Sequence, residues 1–168
     1  YAYAMSSATS ALEIAAQLCC FDNGDEVIIP SHTYTSSAYP FVKKGAQVVW
    51  ADIDFETRVI NAQMIEERLS SKTKAVVVVH LYGYLADMGE IKKLCEERNL
   101  VLIEDCAQAL GTSINGKRAG TFGDMSIFSH HSQKNISTLG EGGVLVLKDP
   151  EQAKVSPLLR HNGHSGFE

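Results

Sequence analysis

The sequence predicts a single α/β domain in which helices flank a largely parallel sheet, a three-layer α/β/α arrangement. Short runs of β-branched and apolar residues alternate along the chain with segments of helical periodicity. One run, VVVVH at 76–80, is apolar at each position before its histidine, as expected of a strand covered on both faces. With 168 residues, of which 45% are hydrophobic, the chain can bury a substantial core in one domain.

Six segments carry the strand signature of β-branched and apolar residues between turn residues. They are Glu26–Ile29, Gln47–Ala51, Ala75–Leu81, Leu100–Glu104, Met125–Phe128 and Gly143–Leu147. We expect no strand ahead of the first helix, because YAYAMSSATSAL leads almost directly into it.

Helical periodicity marks five segments between and after these strands. They are Ser10–Phe21, Ser36–Lys44, Ala62–Leu69, Met88–Arg98 and Pro150–Leu159. Asp87 is predicted to cap the fourth helix, with Glu90 three residues later in the pattern of a capping box. Asn23-Gly24 and Lys44-Gly45 are stop signals after the first two helices. Because no linker-like segment interrupts this order, residues 1–168 are predicted to form one domain.

Composition excludes several classes of protein. The net charge of −5 gives no support for nucleic-acid binding, which is typical of basic domains. No apolar run approaches the length of a membrane span and no signal-peptide pattern is found, so we expect a cytoplasmic protein. The cysteine spacing fits neither a zinc site nor a disulfide framework, and we expect buried free thiols in a reducing compartment at Cys19, Cys20, Cys95 and Cys106.

Both ends of the chain look internal to a longer protein. The first residue is Tyr1 rather than Met, and the last segment, HNGHSGFE, has no element after it to pack against. We therefore expect the chain to be a piece of a longer protein.

Polar residues gather just past the predicted strands, where ligands bind in parallel sheets. They are Ser31, His32, Thr33 and Tyr34, then Asp52, His80, Glu104, Asp105, Ser129 and His130. These residues include most of the acidic, imidazole and hydroxyl groups that interrupt apolar sequence. The pattern predicts a functional site at the carboxyl edge of the sheet.

Asp105 follows an apolar strand in LVLIEDCAQALG and is expected to be at least partly buried. A buried carboxylate is costly unless a cation or several donors meet it. Two interpretations stay open from this segment alone: a cap for a helix in CAQAL, or a partner that keeps a heterocyclic nitrogen protonated. Gln108 would reach the same ligand if the segment made a helical turn, although an exposed polar residue is the simpler interpretation.

Hydroxyl groups cluster at the start of the first helix in SSATSAL, at Ser7, Thr9 and Ser10. Free N–H groups at a helix start, flanked by hydroxyls, form an anion site, but ordinary capping is the commoner role. Neither a Walker motif nor GxGxxG is present, which disfavours nucleotide-binding enzymes of those kinds. Tyr34 either stacks on a planar ligand or belongs to the rim of the core. His80 is by default a hydrogen-bonded core histidine.

Lys134 lies in FSHHSQKNISTLGEGG, between a strand and a glycine-rich turn. It is either a solvated surface charge or an amine that reacts with an aldehyde. The adjacent His130 and His131 would point to opposite sides of an extended segment and lack companion ligands, so no metal site is predicted. An anion-binding helix start, an aromatic lid, a buried acid and a lysine are together what pyridoxal 5′-phosphate (PLP) requires.

Two segments, IEDCAQALG and GTFGDMSIFSHHSQKNISTLGEGG, resemble the signature of the DegT/DnrJ/EryC1/StrS aminotransferases. These are PLP-dependent enzymes of fold type I that mostly aminate keto-sugars attached to nucleotides. SSATSAL, PSHTYTSSA and VVHLYGYLADM match in the same order, so the resemblance covers nearly the whole chain. It implies that residues 1–168 are the core of the PLP-binding large domain, without the C-terminal small domain.

The resemblance also implies roles for individual residues. Lys134 matches the Schiff-base lysine, Asp105 the partner of the pyridine nitrogen, and Gln108 a residue near the 3-hydroxyl of the ring. The remaining matches are Ser129, Ala8 and Thr9 at the phosphate, Tyr34 stacked on the ring, and His80 and His130 near the site.

Two positions depart from the family pattern. Ala8 replaces the glycine of a phosphate loop that often reads Ser-Gly-Thr, and His130 replaces an aromatic residue. Some relatives carry histidine in place of the lysine and dehydrate sugars. The register from Ser129 places Lys134 at the reactive position here, which implies amination.

The implied function is transfer of an amino group, with glutamate as donor, to a nucleotide-linked keto-sugar in amino-sugar, surface-polysaccharide or glycoside biosynthesis. The resemblance implies a homodimer, and the charge and apolar pattern described above predict no nucleic-acid or membrane partner. Two alternatives stay open: a PLP enzyme acting on a cyclitol or another keto substrate, and a non-catalytic or regulatory relative or inactive fragment.

Overall fold

The structure, a computed structural model, describes residues 1–164, so the last four positions of the predicted domain lie outside the described residues. Within that range a central sheet has seven strands in the order β1-β9-β8-β5-β4-β2-β3, and a separate hairpin pairs β6 with β7. The strands are Ala2–Met5 (β1), Glu26–Pro30 (β2), Gln47–Ala51 (β3), Thr73–Val79 (β4), Val101–Asp105 (β5), Ser113–Ile114 (β6), Lys117–Arg118 (β7), Met125–Ser129 (β8) and Gly143–Leu147 (β9).

The prediction of a largely parallel sheet is confirmed. Strands β3, β2, β4, β5 and β8 run parallel to one another. Strand β9 pairs antiparallel with β8 on one side and with β1 on the other. The register pairs Val79 with Asp105 and Asp105 with Ile127, which aligns the carboxyl ends of β4, β5 and β8. Residues that follow these strands in sequence are thereby brought to one edge of the sheet.

The helices are Ala8–Leu18 (α1), Tyr39–Lys43 (α2), Ala62–Glu66 (α3), Met88–Arg98 (α4) and Pro150–Arg160 (α5). Helix α4 has the predicted bounds, and the Asp87 side chain accepts hydrogen bonds from the N–H groups of Gly89 and Glu90. Helix α1 begins two residues before the predicted Ser10, because Ser7 and Ser10 cap it reciprocally in a capping box. It ends before the predicted Phe21, where Cys20 takes a φ of 50°.

The predicted helix at Ser36–Lys44 is divided into a 3₁₀ turn at Thr35–Ser37 and the short helix α2. Pro40 lies in the first turn of α2, where its missing N–H costs nothing. Gly45, with a φ of 88°, follows the C-terminal end of α2 at the predicted stop signal.

The expectation that no strand precedes the first helix is wrong. Residues Ala2–Met5 form β1, which pairs antiparallel with β9 in a register that joins Ala4 to Val144. The signal was the alternation in YAYAM, since Tyr3 and Met5 pack against the core while Ala2 and Ala4 are exposed. Alanine has low strand propensity, so the local sequence gives little indication of this strand.

The core is densest around β4, where Ala75, Val76, Val77 and Val78 are all 0% exposed. Burial on every successive residue means that both faces of this strand are covered, as the sequence predicted. Among residues 1–164, none of the helices has the length and apolar character needed to cross a bilayer.

All four cysteines are free thiols. Cys19, Cys95 and Cys106 are buried as expected, and burial raises the pKa of Cys19 and of Cys95 to about 12. Cys20 is exposed, contrary to the expectation, because it follows the end of α1.

Gly143 lets the start of β9 pass directly against the start of α1. A Cβ added at Gly143 would lie 2.5 Å from the carbonyl carbon of Ser7 and 2.7 Å from the backbone nitrogen of Ala8. Both are backbone atoms and cannot swing away. We expect Gly143→Ala to lower the free energy of unfolding by about 2 kcal/mol in urea denaturation, through overpacking at this contact.

Gly140→Ala is the matched control, because a Cβ at Gly140 meets nothing within 4 Å. Equal losses in the two variants would contradict the close approach of β9 to α1.

Candidate active site

A cavity of about 450 Å³ lies at the carboxyl edge of the sheet. This volume falls in the range of small-molecule sites, roughly 300–1,000 Å³. Residues from the start of α1, the loop after β2, the end of β5 and the loop after β8 line it. They include all seven residues predicted to bind a cofactor: Ala8, Thr9, Tyr34, Asp105, Gln108, Ser129 and Lys134.

Asp105 is the buried acid of this cavity, with only 5% of its surface exposed. Its Oδ2 accepts a hydrogen bond of 2.8 Å from the Ser37 hydroxyl, and its Oδ1 accepts one of 3.1 Å from the N–H of Ala107. Burial raises the pKa of Asp105, and these two hydrogen bonds together with the charges of His80 and Lys134 oppose that rise without cancelling it. A protonated nitrogen of a ligand in the cavity would stabilise the ionised form of Asp105.

The segment after Asp105 does not begin a helix, so Asp105 is not a helix cap. The N–H of Ala109 donates to the carbonyl of Cys106, which closes a turn. Within this turn Gln108 is oriented by its side-chain oxygen, which accepts a hydrogen bond of 2.8 Å from the N–H of Tyr82. The amide NH₂ of Gln108 is left as a donor at the cavity.

The part of the lining formed by the start of α1 and by Ser129 is suited to an anion. N–H groups in the first turn of a helix lack intrahelical acceptors, and Ala8 and Thr9 open α1 here. The hydroxyl of Thr9 donates to that of Ser36 at 2.9 Å. Ser129, at the end of β8, is 8% exposed, and its hydroxyl oxygen accepts from the N–H of His131 at 3.3 Å.

Lys134 lies in the loop after β8 and lines the cavity, with its backbone N–H bonded to the carbonyl of His131 at 2.9 Å. Within residues 1–164 its amine makes no hydrogen bond or ion pair, although its charge acts on Asp105. Two other lysines make contacts elsewhere. Lys154 pairs with Glu151 at 2.6 Å, and Lys148 donates to the carbonyl of Phe122 at 2.8 Å.

Tyr34 lines the mouth of the cavity with 75% of its surface exposed, so its ring is free to cover a ligand. His130 does not line the cavity; its Nδ1 lies 3.3 Å from the carbonyl of Ile136. The neighbouring His131 does line it, and its Nε2 lies 3.3 Å from the carboxylate of Glu141.

Sequence reasoning assigned no individual role at the site to several of the lining residues: Thr33, Ser36, Ser37, His131 and Glu141. The first three belong to PSHTYTSSA, where a run of hydroxyl groups directly after a strand was the available signal. Asp52, which also follows a strand, is exposed and contributes nothing to the lining.

His80 lies behind the cavity in a buried network with Glu104. Both side chains are 0% exposed, and His80 Nε2 is 3.0 Å from Glu104 Oε2. The Glu104 carboxylate also accepts from the N–H groups of Gly120, Phe122 and Gly123. Burial opposes ionisation of Glu104, but these hydrogen bonds outweigh it and lower its pKa. Cys106 brings a third ligand-type atom within 4.8 Å, but the carboxylate oxygens are already engaged, so we interpret the cluster as part of the core.

We expect Glu104→Gln to lower the free energy of unfolding by about 3 kcal/mol at pH 7, because an NH₂ group would face at least one N–H donor whichever way the amide turns. A carboxylate with a lowered native pKa stabilises the fold above its ordinary pKa, and the contribution is lost as pH falls. The deficit of the variant in denaturant unfolding should therefore stay constant at neutral pH and shrink as pH falls below 4.5, the ordinary pKa of the group.

Glu96→Gln serves as the control for this prediction, since Glu96 makes an exposed pair with Lys92 at 3.4 Å. A loss no larger than that of Glu96→Gln would show that the network contributes little.

Comparison with known proteins gives consistent matches. The sequence profile of the DegT/DnrJ/EryC1/StrS aminotransferase family matches residues 1–167. The chain is 44% identical to GDP-perosamine synthase of Vibrio cholerae over 87% of this chain and 40% of that protein. It is 41% identical to L-glutamine:2-deoxy-scyllo-inosose aminotransferase of Streptomyces kanamyceticus over 94% of this chain and 37% of that protein.

Among solved structures, the chain is similar to a GDP-4-keto-6-deoxymannose-3-dehydratase with a trapped PLP-glutamate geminal diamine. The TM-score is 0.91 at 32% identity, over 97% of this chain and 44% of that one. The chain thus spans well under half the length of the relatives that it matches.

Proposed function

The chain belongs to the DegT/DnrJ/EryC1/StrS aminotransferase family, and from this premise we propose that it is the cofactor-binding domain of a PLP-dependent aminotransferase. The proposed acceptor is a nucleotide-linked keto-sugar and the proposed donor is glutamate. The supporting relatives are the GDP-perosamine synthase and the dehydratase structure that holds PLP and glutamate. Since the chain covers 40% of the former, the proposed enzyme is longer than these 168 residues.

One observation carries the proposal: a lysine amine that has no partner among residues 1–164 and a buried carboxylate with a raised pKa line the same cavity. The other lining residues are chemically suited to PLP, because N–H and hydroxyl groups of α1 and Ser129 form an anion site for its phosphate. When bound, PLP supplies a reactive aldehyde and a protonated pyridine ring that withdraws electrons.

Different lining residues would bind different parts of PLP. Asp105 would hold the proton on the ring nitrogen, Ser129 and the N–H groups of α1 would hold the phosphate, and Tyr34 would cover one face of the ring. Lys134 would hold the aldehyde end of PLP through Nζ, and the same amine is the group that would carry a proton during amino transfer.

A second candidate acceptor is a cyclitol ketone. The similarity to the inosose aminotransferase of Streptomyces kanamyceticus, at 41% identity, favours it. A nucleotide-linked sugar stays the first choice because the match to the GDP-perosamine synthase is closer, at 44%.

We further propose that the enzyme is a cytoplasmic homodimer. Tyr34 and Tyr82 are 75% and 69% exposed, and Leu139, between two lining residues in sequence, is 99% exposed. Apolar side chains of this size around a cavity mouth are typical of surfaces that a partner covers. The buried free thiols of Cys19, Cys95 and Cys106 suit a reducing compartment.

The test uses the full-length protein loaded with PLP and treated with L-glutamate, then with L-glutamine as the alternative donor. We expect glutamate to yield 2-oxoglutarate in an amount equal to the bound PLP, with loss of the aldehyde absorption. Adding a GDP-linked or dTDP-linked keto-sugar, or an inosose, then identifies the acceptor by return of that absorption. Bound PLP that exchanges with no amino acid would overturn the proposal in favour of a non-catalytic relative.

A further inference from the structure

Two hydroxyl groups form a short chain that ends on Asp105. The oxygens of Thr33 and Ser37 lie 2.7 Å apart, and Ser37 Oγ lies 2.8 Å from Asp105 Oδ2. Ser37 is 1% exposed, so water does not compete for its bonds. Because Ser37 has one hydroxyl proton and gives it to the carboxylate, Thr33 must be the donor to Ser37.

We propose that this Thr33–Ser37 relay keeps Asp105 ionised and fixes its orientation, which makes Ser37 a positioning residue for the cofactor-binding carboxylate. The inference rests on the proposed function only in identifying the ring nitrogen that Asp105 would meet.

The bonding of the carboxylate shows why the relay matters. Asp105 accepts two hydrogen bonds, from Ser37 on Oδ2 and from Ala107 on Oδ1. An ionised carboxylate offers about four acceptor positions, so two are left for a ligand or water. With one donor on each oxygen, loss of Ser37 would leave Oδ2 without a partner in a site that disfavours charge.

Other ionisable groups near Asp105 do not replace the relay. His80 follows β4, Lys134 lies in the loop after β8, and Cys106 and Glu104 flank Asp105 in the chain. Neither His80 nor Lys134 donates a hydrogen bond to the carboxylate of Asp105. The Glu104 carboxylate is hydrogen-bonded to His80. Burial raises the pKa of the Cys106 thiol, so this group stays neutral. Their influence on Asp105 is at a distance, whereas Ser37 is in direct contact.

The relay has a pH signature. A carboxylate whose native pKa is raised takes up a proton on folding, so stability falls as pH rises from its ordinary pKa through its native pKa. Removing the Ser37 donor raises the native pKa of Asp105 further. The stability lost in Ser37→Ala should therefore grow as pH rises, and this growth should vanish when residue 105 cannot ionise.

The experiment is a double-mutant cycle of Ser37→Ala and Asp105→Asn, with unfolding by urea measured between pH 4.5 and pH 8.5 in the protein without PLP. We expect the deficit of Ser37→Ala to grow across this range by about tenfold in the unfolding equilibrium constant, and to stay constant in the Asp105→Asn background. Ser156→Ala is the matched control, because Ser156 is also 1% exposed but donates to an uncharged carbonyl, that of Gln152, at 2.9 Å.

A constant deficit equal to that of Ser156→Ala, or growth that persists in the Asp105→Asn background, would overturn the relay. If Ser37→Ala does not fold, Thr33→Val removes the first hydroxyl of the relay at nearly equal volume and should show the same trend at smaller size. A flat Thr33→Val profile would then count against the proposal.

PLP affinity gives a second readout. Ser37→Ala should weaken PLP binding about tenfold, Ser37→Thr should restore it, and Ser156→Ala should leave it unchanged. If the unsubstituted protein binds no PLP, the proposed function fails while the unfolding cycle still decides the relay. Binding that is equal in Ser37→Ala and in the unsubstituted protein would contradict the positioning role.

Discussion

Replacement of Lys134 by alanine is expected to reduce amino transfer in the full-length protein by roughly 10³-fold or more, because one residue supplies both the covalent contact and the proton carrier. The fold should survive. Within residues 1–164 the Lys134 amine makes no hydrogen bond or ion pair, so the substitution removes no structural contact of that group. Stopped assays of 2-oxoglutarate release, paired with urea unfolding, separate the two effects.

Lys154→Ala provides the comparison, since Lys154 is exposed and paired with Glu151 on α5. We expect it to retain activity. Lys134→Ala should still bind PLP through the remaining lining residues, with weaker affinity. Turnover of Lys134→Ala within tenfold of the unsubstituted protein would return Lys134 to the role of a surface charge.

Asp105→Asn is expected to lower turnover by about 10²-fold, the size of effect seen when one electrostatic contact to the reacting group is removed. Asparagine keeps the shape of the side chain and can still accept from Ala107, so the backbone should not move. It cannot hold a proton on a ring nitrogen through a full negative charge. The loss should therefore appear in kcat more than in the affinity for PLP.

Stability provides an independent check on Asp105. Because burial raises its pKa, ionised Asp105 costs stability that increases as pH rises above the ordinary range of a carboxyl group. Asp105→Asn should therefore gain stability relative to the unsubstituted protein between pH 4.5 and pH 8. Asp52→Asn, an exposed acid on the same edge of the sheet, should show no such trend. A parallel pH profile for both variants would contradict the burial argument.

The interior of the sheet was predictable because each of its strands is marked by local sequence. The run of valines in β4 is apolar at consecutive positions, and only a strand covered on both faces accommodates that. The position of the cavity followed from the same assignment, since Asp105 and Ser129 end neighbouring parallel strands. Because the carboxyl ends of parallel strands lie at one edge of a sheet, the strand assignment alone predicted that these two residues are close together.

Features that depend on distant contacts were not predictable. Strand β1 exists because it pairs with β9, whose residues are more than a hundred positions away, and its own alanines give little indication. Each residue at positions 33–37 carries a hydroxyl group, so the sequence does not indicate which one contacts Asp105. The 3₁₀ turn at Thr35–Ser37 places the hydroxyl of Ser37 against the carboxylate. The role of Lys134 could be assigned only with the family resemblance, because its own segment left a solvated surface lysine open as an alternative.

The competing amines make a covalent labelling experiment decisive. Burial and the nearby charge of Lys92 lower the pKa of Lys148, which makes Lys148 a competing amine for PLP. It is bonded to the carbonyl of Phe122 and does not line the cavity. Lys117, near the ring of Phe122, is likewise outside the lining.

The most direct measurement is borohydride reduction of the PLP-loaded protein followed by peptide mapping. Reduction makes permanent the bond between PLP and whichever amine holds it. The proposed function predicts one pyridoxyl group per chain, on Lys134, with Lys117, Lys148 and Lys154 unlabelled. A label on Lys148 or spread over several surface lysines, with Lys134 unmodified, would contradict the central claim that the cavity is a PLP site.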